Sequence, residues 1–128
     1  MRLLLDTHAL LWWFSDDPNL PKSCRSTISQ QENEIFVSAA SAWEVSTKFR
    51  LGKLPSASEL VHDFRGYVFR AGFYELNISS EHGIRAGHLP GPLKDPFDRM
   101  LVAQSQCEGM SIVSNEAIFE HYGIDRVW

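Results

Sequence analysis

The feature that most constrains this chain is a three-residue apolar run near its start, Leu3-Leu4-Leu5, cut off by Asp6-Thr7. A strand with no polar alternation suits a parallel sheet covered on both faces. The acid and hydroxyl that end it read as the N-cap of a following helix. The pattern recurs. Strands are predicted at Glu34–Ser38, Phe73–Leu76 and Ser111–Val113, with a last edge strand at Asp125–Trp128. Helices are expected from about His8 to Phe14, stopped by Ser15-Asp16-Asp17-Pro18, and from Pro21 to about Gln31 with Leu20 and Ile28 inward. Ser41-x-x-Glu44 has capping-box spacing and predicts a helix from Ser41 to about Leu51, ended by Gly52. Further helices are expected at Ser58–Arg70, with Leu60, Val61, Phe64, Val68 and Phe69 toward the core, at Ser79 to about Gly87, at Asp98–Glu108, and briefly at Ala117–Tyr122. His88 to Pro96, with three prolines, reads as a loop. Strands alternating with helices predict an α/β three-layer sandwich. Its central, mostly parallel sheet of about five short strands is flanked by helices through right-handed crossovers.

Residues 1–128 fit one domain, and 44% hydrophobic with 12% aromatic residues gives enough apolar area for a core. Cys24 and Cys107 have neither disulfide-framework nor metal-ligand spacing, which favours a reducing compartment. The longest apolar stretch, Ala9 to Phe14, is far below the ~20 residues a bilayer requires. With an early acid and no leader-cleavage site, the expected location is the cytoplasm, with no membrane partner. The net charge of −4 argues mildly against a nucleic-acid partner, unless the negative charge is concentrated in one pocket.

Acids recur where such a fold gathers ligands. Asp6 ends the first strand, Glu44 follows the second, Asp95 and Asp98 open a helix, and Glu116 follows Val113-Ser114-Asn115. All fall on the carboxyl rim of the sheet. Carboxylates crowded together repel, so keeping several charged requires a cation. Oxygen ligands without His or Cys suit Mg²⁺ or Mn²⁺ rather than zinc. Such an ion activates water for phosphodiester hydrolysis. Taken singly, Glu44, Asp95 and Asp98 could equally be helix-cap acids and Asp6 an Asx turn. His8 and the other histidines form no zinc set. Trp12, Trp13 and Trp43 are expected to fill the core or a dimer interface rather than stack on bases. Lys48, Arg50 and Lys53 form the densest basic run, either a solvated face or a guide for RNA phosphate.

The segments Leu3-Leu4-Leu5-Asp6-Thr7-His8, Val37-Ser38-Ala39-Ala40-Ser41-Ala42-Trp43-Glu44-Val45 with Lys48 and Leu51-Gly52-Lys53-Leu54, Asp95-Pro96-Phe97-Asp98-Arg99-Met100-Leu101-Val102-Ala103-Gln104, and Ser114-Asn115-Glu116 together resemble the PIN domain. They are similar to the VapC-type toxins of toxin–antitoxin pairs. The resemblance spans nearly the whole chain in the family's order. It implies a Mg²⁺- or Mn²⁺-dependent endoribonuclease acting on RNA such as tRNA, rRNA or mRNA, a homodimer, and a cognate antitoxin whose tail blocks the acidic pocket. It assigns Asp6, Glu44 and Asp98 as the main acidic ligands. Thr7 and Ser114 become supporting hydroxyls, and Asp95 a typical member of the motif. Glu116 stands where the family often carries Asp. Its side chain is a methylene longer, so it would reach an ion through water.

Two other readings stay open. A Mg²⁺-dependent phosphatase or phosphoacceptor would need a second Asp two residues after Asp6, where this chain has His8, or a late-strand Lys, which is missing. A catalytically weak or inactive module that keeps the fold and binds RNA or protein is the principal alternative.

Overall fold

The computed structural model describes residues 1–128. Its strands are β1 (Arg2–Leu5), β2 (Glu34–Ser38), β3 (Tyr74–Leu76), β4 (Ser111–Val113) and β5 (Arg126–Val127), in the order β3-β2-β1-β4-β5. Every pairing is parallel. β1 lies at the centre, with Leu4 opposite Phe36 on β2 and Ile112 on β4. The chain leaves β1 toward β2 and later returns on its other side with β4, so the strand order reverses beside the end of β1. Crevices open at that point in such sheets.

The helices are α1 (Thr7–Phe14), α2 (Lys22–Ser29), α3 (Ala39–Arg50), α4 (Ser58–His62), α5 (Phe64–Arg70), α6 (Ser80–His88) and α7 (Pro96–Glu108), with short 3₁₀ turns at Pro55–Ala57 and Ala117–Tyr122. Successive side chains of a strand point to opposite faces, and both faces here are apolar. Leu3, Leu5, Ile35, Val37 and Val113 join Leu10, Leu20, Cys24, Ile28 and Val68 in one core. Leu4 and Ile112 join Leu101, Val102, Phe119 and Ile124 in the other. Leu3, Leu4 and Leu5 are fully buried. The three-layer expectation therefore holds, and the sheet is parallel throughout.

Three local expectations are corrected. Ser41 does not cap α3. Ser38, at the end of β2, does so by accepting a hydrogen bond from the Ala40 amide at 3.0 Å. The helix thus starts directly from the strand, and Ser41 and Glu44 both lie inside it. A capping box does form at Ser79, whose hydroxyl accepts from the His82 amide while His82 Nδ1 accepts from the Ser79 amide. The imidazole nitrogen there serves as the reciprocal acceptor that Glu or Gln supplies in the usual motif. The helix expected over Ser58–Arg70 breaks at Asp63, which takes φ −143° and ψ 44°. Gly66 permits the break, since a Cβ at that position would overlap the Asp63 carboxyl group. The break turns Val68 into the core and leaves Phe69 83% exposed, against the inward placement expected for it.

The loop between α6 and α7 is held by one cation. The Arg99 guanidinium donates to the carbonyls of Ala86 (2.8 Å), Leu89 (2.7 Å) and Leu93 (2.6 Å). A planar fork of donors suits several fixed acceptors at once. The clamp sits one residue beyond Asp98 and fixes the start of α7. Buried Gln104, one helical turn and a half further on, accepts from Ser38 Oγ at 2.6 Å and so ties α7 to the end of β2.

Arg99→Ala is therefore expected to destabilise the fold by about 2–3 kcal/mol, because it strands carbonyls that were bonded to a charged donor. Arg99→Lys should recover only part of this, having no fork. Urea denaturation measures both, and a loss for Arg99→Ala within about 0.5 kcal/mol, typical of an inert surface change, would contradict the clamp.

Candidate metal centre

The junctions described above deliver acids to one rim. Asp6 follows β1 and caps α1, with Oδ1 accepting from the Ala9 amide at 2.7 Å. It is only 4% exposed. Burial raises its pKa. The hydrogen bonds from Ser114 and Ala9 and the nearby His8 act the other way, and Glu116 adds repulsion. Ser114, buried at the end of β4, also accepts from the Glu116 amide at 3.0 Å. One hydroxyl therefore links the two acids on either side of the β1–β4 switch point.

Glu44 reaches the same region from the second turn of α3 and is 5% exposed. The hydroxyl of Thr7 donates to its Oε1 at 2.6 Å, and Ser41 Oγ lies 3.0 Å from that hydroxyl. Lys48 Nζ holds Oε2 at 2.8 Å. Its pKa is raised, chiefly by that bond to Glu44 and further by Asp95 and Asp98, against a smaller opposing effect of burial.

Asp98 lies in the first turn of α7. Its carboxyl pKa is pushed up to about 7, first by burial and then by repulsion from Asp95, Glu116, Glu44 and Asp6. Five acids from four segments of the chain therefore share one electrostatic neighbourhood. Asp95 itself is exposed and caps α7, with Oδ1 accepting from the amides of Phe97 and Asp98 at 2.9 and 3.0 Å. Its bonds are those of a cap, and its charge still bears on Asp98.

Glu44, by contrast, is not in a helical first turn, so the cap explanation weighed for it fails. Of the basic run, only Lys48 joins the cluster. Arg50 and Lys53 stand exposed at and beyond the carboxyl end of α3. Ser41 is the member sequence reasoning missed. Its spacing of three from Glu44 was read as a cap, yet the same spacing puts both side chains on one helical face. His8 is exposed and stacks on Trp12 at 5.5 Å. Trp12 and Trp13 pack against the first core, whereas Trp43 is 61% exposed, with its ring edge-on to Phe97 at 4.7 Å.

In this conformation no three Asp, Glu, His or Cys side chains surround one point as ion ligands. Both oxygens of Glu44 are turned to Thr7 and Lys48. An Mg²⁺ ion keeps several waters and is commonly held by one or two carboxylates. The oxygen-only carboxylates of Asp6 and Asp98 have the donor chemistry such an ion takes.

Cys24 and Cys107 are unpaired. No helix is long and apolar enough to cross a membrane.

Comparison with known proteins bears on this arrangement. A stretch of 58 residues is 34% identical to Ribonuclease VapC16 of Mycobacterium tuberculosis, spanning 45% of this chain and 41% of that protein. The fold is similar to that in the crystal structure of VapBC2 from Rickettsia felis bound to a promoter DNA fragment, at TM-score 0.69 and 16% identity, covering 99% of this chain and 98% of that one. FitAcB from Neisseria gonorrhoeae gives TM-score 0.70 and 13% identity over 98% and 96% of the two chains. A toxin–antitoxin complex from Klebsiella pneumoniae gives 0.61 and 22% over 89% and 86%. The PIN domain model matches residues 3–125. Since that span takes in nearly the whole chain and every acid of the cluster, the chain belongs to the PIN-domain family.

Proposed function

We propose that this chain is a Mg²⁺- or Mn²⁺-dependent endoribonuclease, the toxin of a cytoplasmic toxin–antitoxin pair. The observation that carries the proposal is the state of Asp98. Burial, and then repulsion from four other acids, raises its carboxyl pKa to about 7, an arrangement that costs stability unless a cation is meant to enter. Kinship with a protein named a ribonuclease, and a fold shared with the VapBC2 and FitAcB structures, support the same reading.

In this scheme Asp6 and Asp98 would hold the ion, with Glu44 and Glu116 as further acidic residues that would support it. When bound, the ion supplies Lewis acidity to a phosphoryl oxygen and lowers the pKa of the attacking water. Ser114 keeps Asp6 aligned, and Thr7, backed by Ser41, keeps Glu44 aligned. Asp95 holds the first turn of α7 and hence the position of Asp98. Arg50 and Lys53 offer positive charge for RNA phosphates beside the cluster. The partners proposed are an RNA substrate, a cognate antitoxin and a second copy of the chain. The catalytically weak binding module is the second reading, and the lack of three acids already in ligand geometry favours it.

Incubation of purified protein with labelled single-stranded RNA separates the two. Cleavage with Mg²⁺ or Mn²⁺, abolished by EDTA and reduced at least about a hundredfold in Asp6→Asn, is expected of the nuclease, since loss of a ligand should exceed the 10–100-fold typical of its supporting partners. EDTA-resistant cleavage, or full activity in Asp6→Asn, overturns the proposal. RNA binding without cleavage selects the module.

Asp98 also makes the metal-free protein sensitive to pH. Its pKa lies near 7 in the folded state and at the ordinary 3.8 when unfolded. Across that window the folded chain keeps a proton that the unfolded chain has released, so stability falls as pH rises and the loss is complete above about 7. Because Asp98 is only partly buried, the expected loss is on the order of 1–2 kcal/mol, well below the full linkage value. In EDTA, Asp98→Asn should therefore melt above the wild type at about pH 8 and converge with it near pH 4. Parallel melting curves across the range would refute the shift.

A further inference from the structure

Glu44 has both carboxylate oxygens committed within the chain, Oε1 to Thr7 and Oε2 to Lys48. The Glu44 side chain is 7% exposed and that of Lys48 35%. An ion pair of this spacing on an open helix surface contributes little. Here one end is out of water, where an ionised carboxylate persists only if opposite charge and donors surround it. Thr7 supplies the donor and Lys48 the charge.

The same ammonium lies in the field of Asp95 and Asp98. It is the cation bonded within the cluster, since Arg50 and Lys53 remain in solvent. A divalent ion attracted to these acids meets a carboxylate oxygen already taken by a positive group. It must displace that group or do without the oxygen, and the two cations repel.

We propose that Lys48 is the resident counter-cation of the acidic cluster, holding Glu44 in place in the metal-free protein and competing with the divalent ion for Glu44 Oε2. This rests on the reading that the acids hold a divalent ion. It makes Lys48 a positioning residue and removes it from the set proposed to touch RNA in the metal-free state. It also accounts for the missing third ligand, because Glu44 joins the ion only as Lys48 leaves.

Calorimetric Mn²⁺ titration of the metal-free chain tests this in the wild type, Lys48→Met and Lys48→Arg. Met keeps the apolar stem and removes the charge, while Arg keeps the charge. Lys48→Met is expected to bind Mn²⁺ about fivefold or more tightly than the wild type, a coupling of ordinary size between two sites. Lys48→Arg should match the wild type. Without metal, Lys48→Met should melt below the wild type because Glu44 loses its counter-charge, and saturating Mn²⁺ should close the gap. A purely structural role would lower melting equally with and without Mn²⁺ and leave affinity unchanged. A second readout needs no variant: addition of Mg²⁺ to the wild type should shift the NMR signal of the Lys48 ε-methylene group. If the wild type binds Mn²⁺ while Lys48→Met binds it equally or more weakly, or if the Lys48 signal stays fixed at Mg²⁺ saturation, the competition is refuted and the metal site stands. If the wild type binds no Mn²⁺, the metal-dependent function fails and the competition with it.

Discussion

Repulsion among carboxylates taken partly out of water is the constraint on which the rest of this molecule turns. Each of the five acids at the carboxyl rim raises the cost of charging its neighbours, and Asp98, partly buried and faced by the other four, shows the combined effect of burial and repulsion as a pKa near 7. Three of the others accept hydrogen bonds from specific donors. Asp6 has the Ala9 amide and Ser114, Glu44 has Thr7 and Lys48, and Asp95 has two amides of α7. Hydrogen bonds to an ionised acceptor are the strong ones. Here they bring acids together that would otherwise turn outward to solvent.

Such an arrangement demands a scaffold that does not yield, because a rim able to spread would relieve the repulsion by moving. The sheet meets this demand by burial on both faces. Leu3, Leu4 and Leu5 are sealed between two cores, so the position of Asp6 is set by a strand with no exposed side chain in its last three residues. The opposite wall is tied in by two polar side chains, Gln104 bonded to Ser38 and Arg99 to the carbonyls of the α6–α7 loop. Both reach from α7, the helix that presents Asp98. The stiffness of the cluster thus comes as much from α7 as from the central strand.

Much of this could be read from the chain alone, for a definite reason. Alternation of apolar runs with amphipathic stretches specifies a parallel sheet, and the strand ends then specify the rim, so Asp6, Glu44, Asp98 and Glu116 could be placed together without coordinates. What escaped the sequence depends on conformations that local pattern does not fix. Ser41-x-x-Glu44 has capping-box spacing, but α3 begins three residues earlier because Ser38 satisfies its first amides. The true box uses His82, whose ring nitrogen is the reciprocal acceptor. Asp63 breaks a helix whose apolar spacing continues through it, and the missing Cβ of Gly66 leaves room for its carboxyl group. The pairing of Lys48 with Glu44 was legible as an i, i+4 spacing. Its consequence was not, since it depends on how deeply Glu44 is buried.

The acidic net charge, which counts against a nucleic-acid partner when it is spread over a surface, has a different meaning when localised. The chain carries sixteen acids and twelve Lys and Arg residues. Counted formally, the cluster of Asp6, Glu44, Asp95, Asp98 and Glu116 carries one more negative charge than that whole excess, so the remainder of the chain is formally balanced to within a single positive charge. Repulsion of a polyanion is therefore confined to the place where a divalent ion would cancel part of it. Lys48 already cancels another part, bonded to Glu44 within the cluster. At physiological ionic strength exposed charges are screened over roughly 8 Å, so an RNA backbone passing over the rest of the surface meets a nearly neutral protein. Approach and catalysis are then governed by the same few residues, and the charge state of the acidic pocket decides whether phosphate is repelled or held.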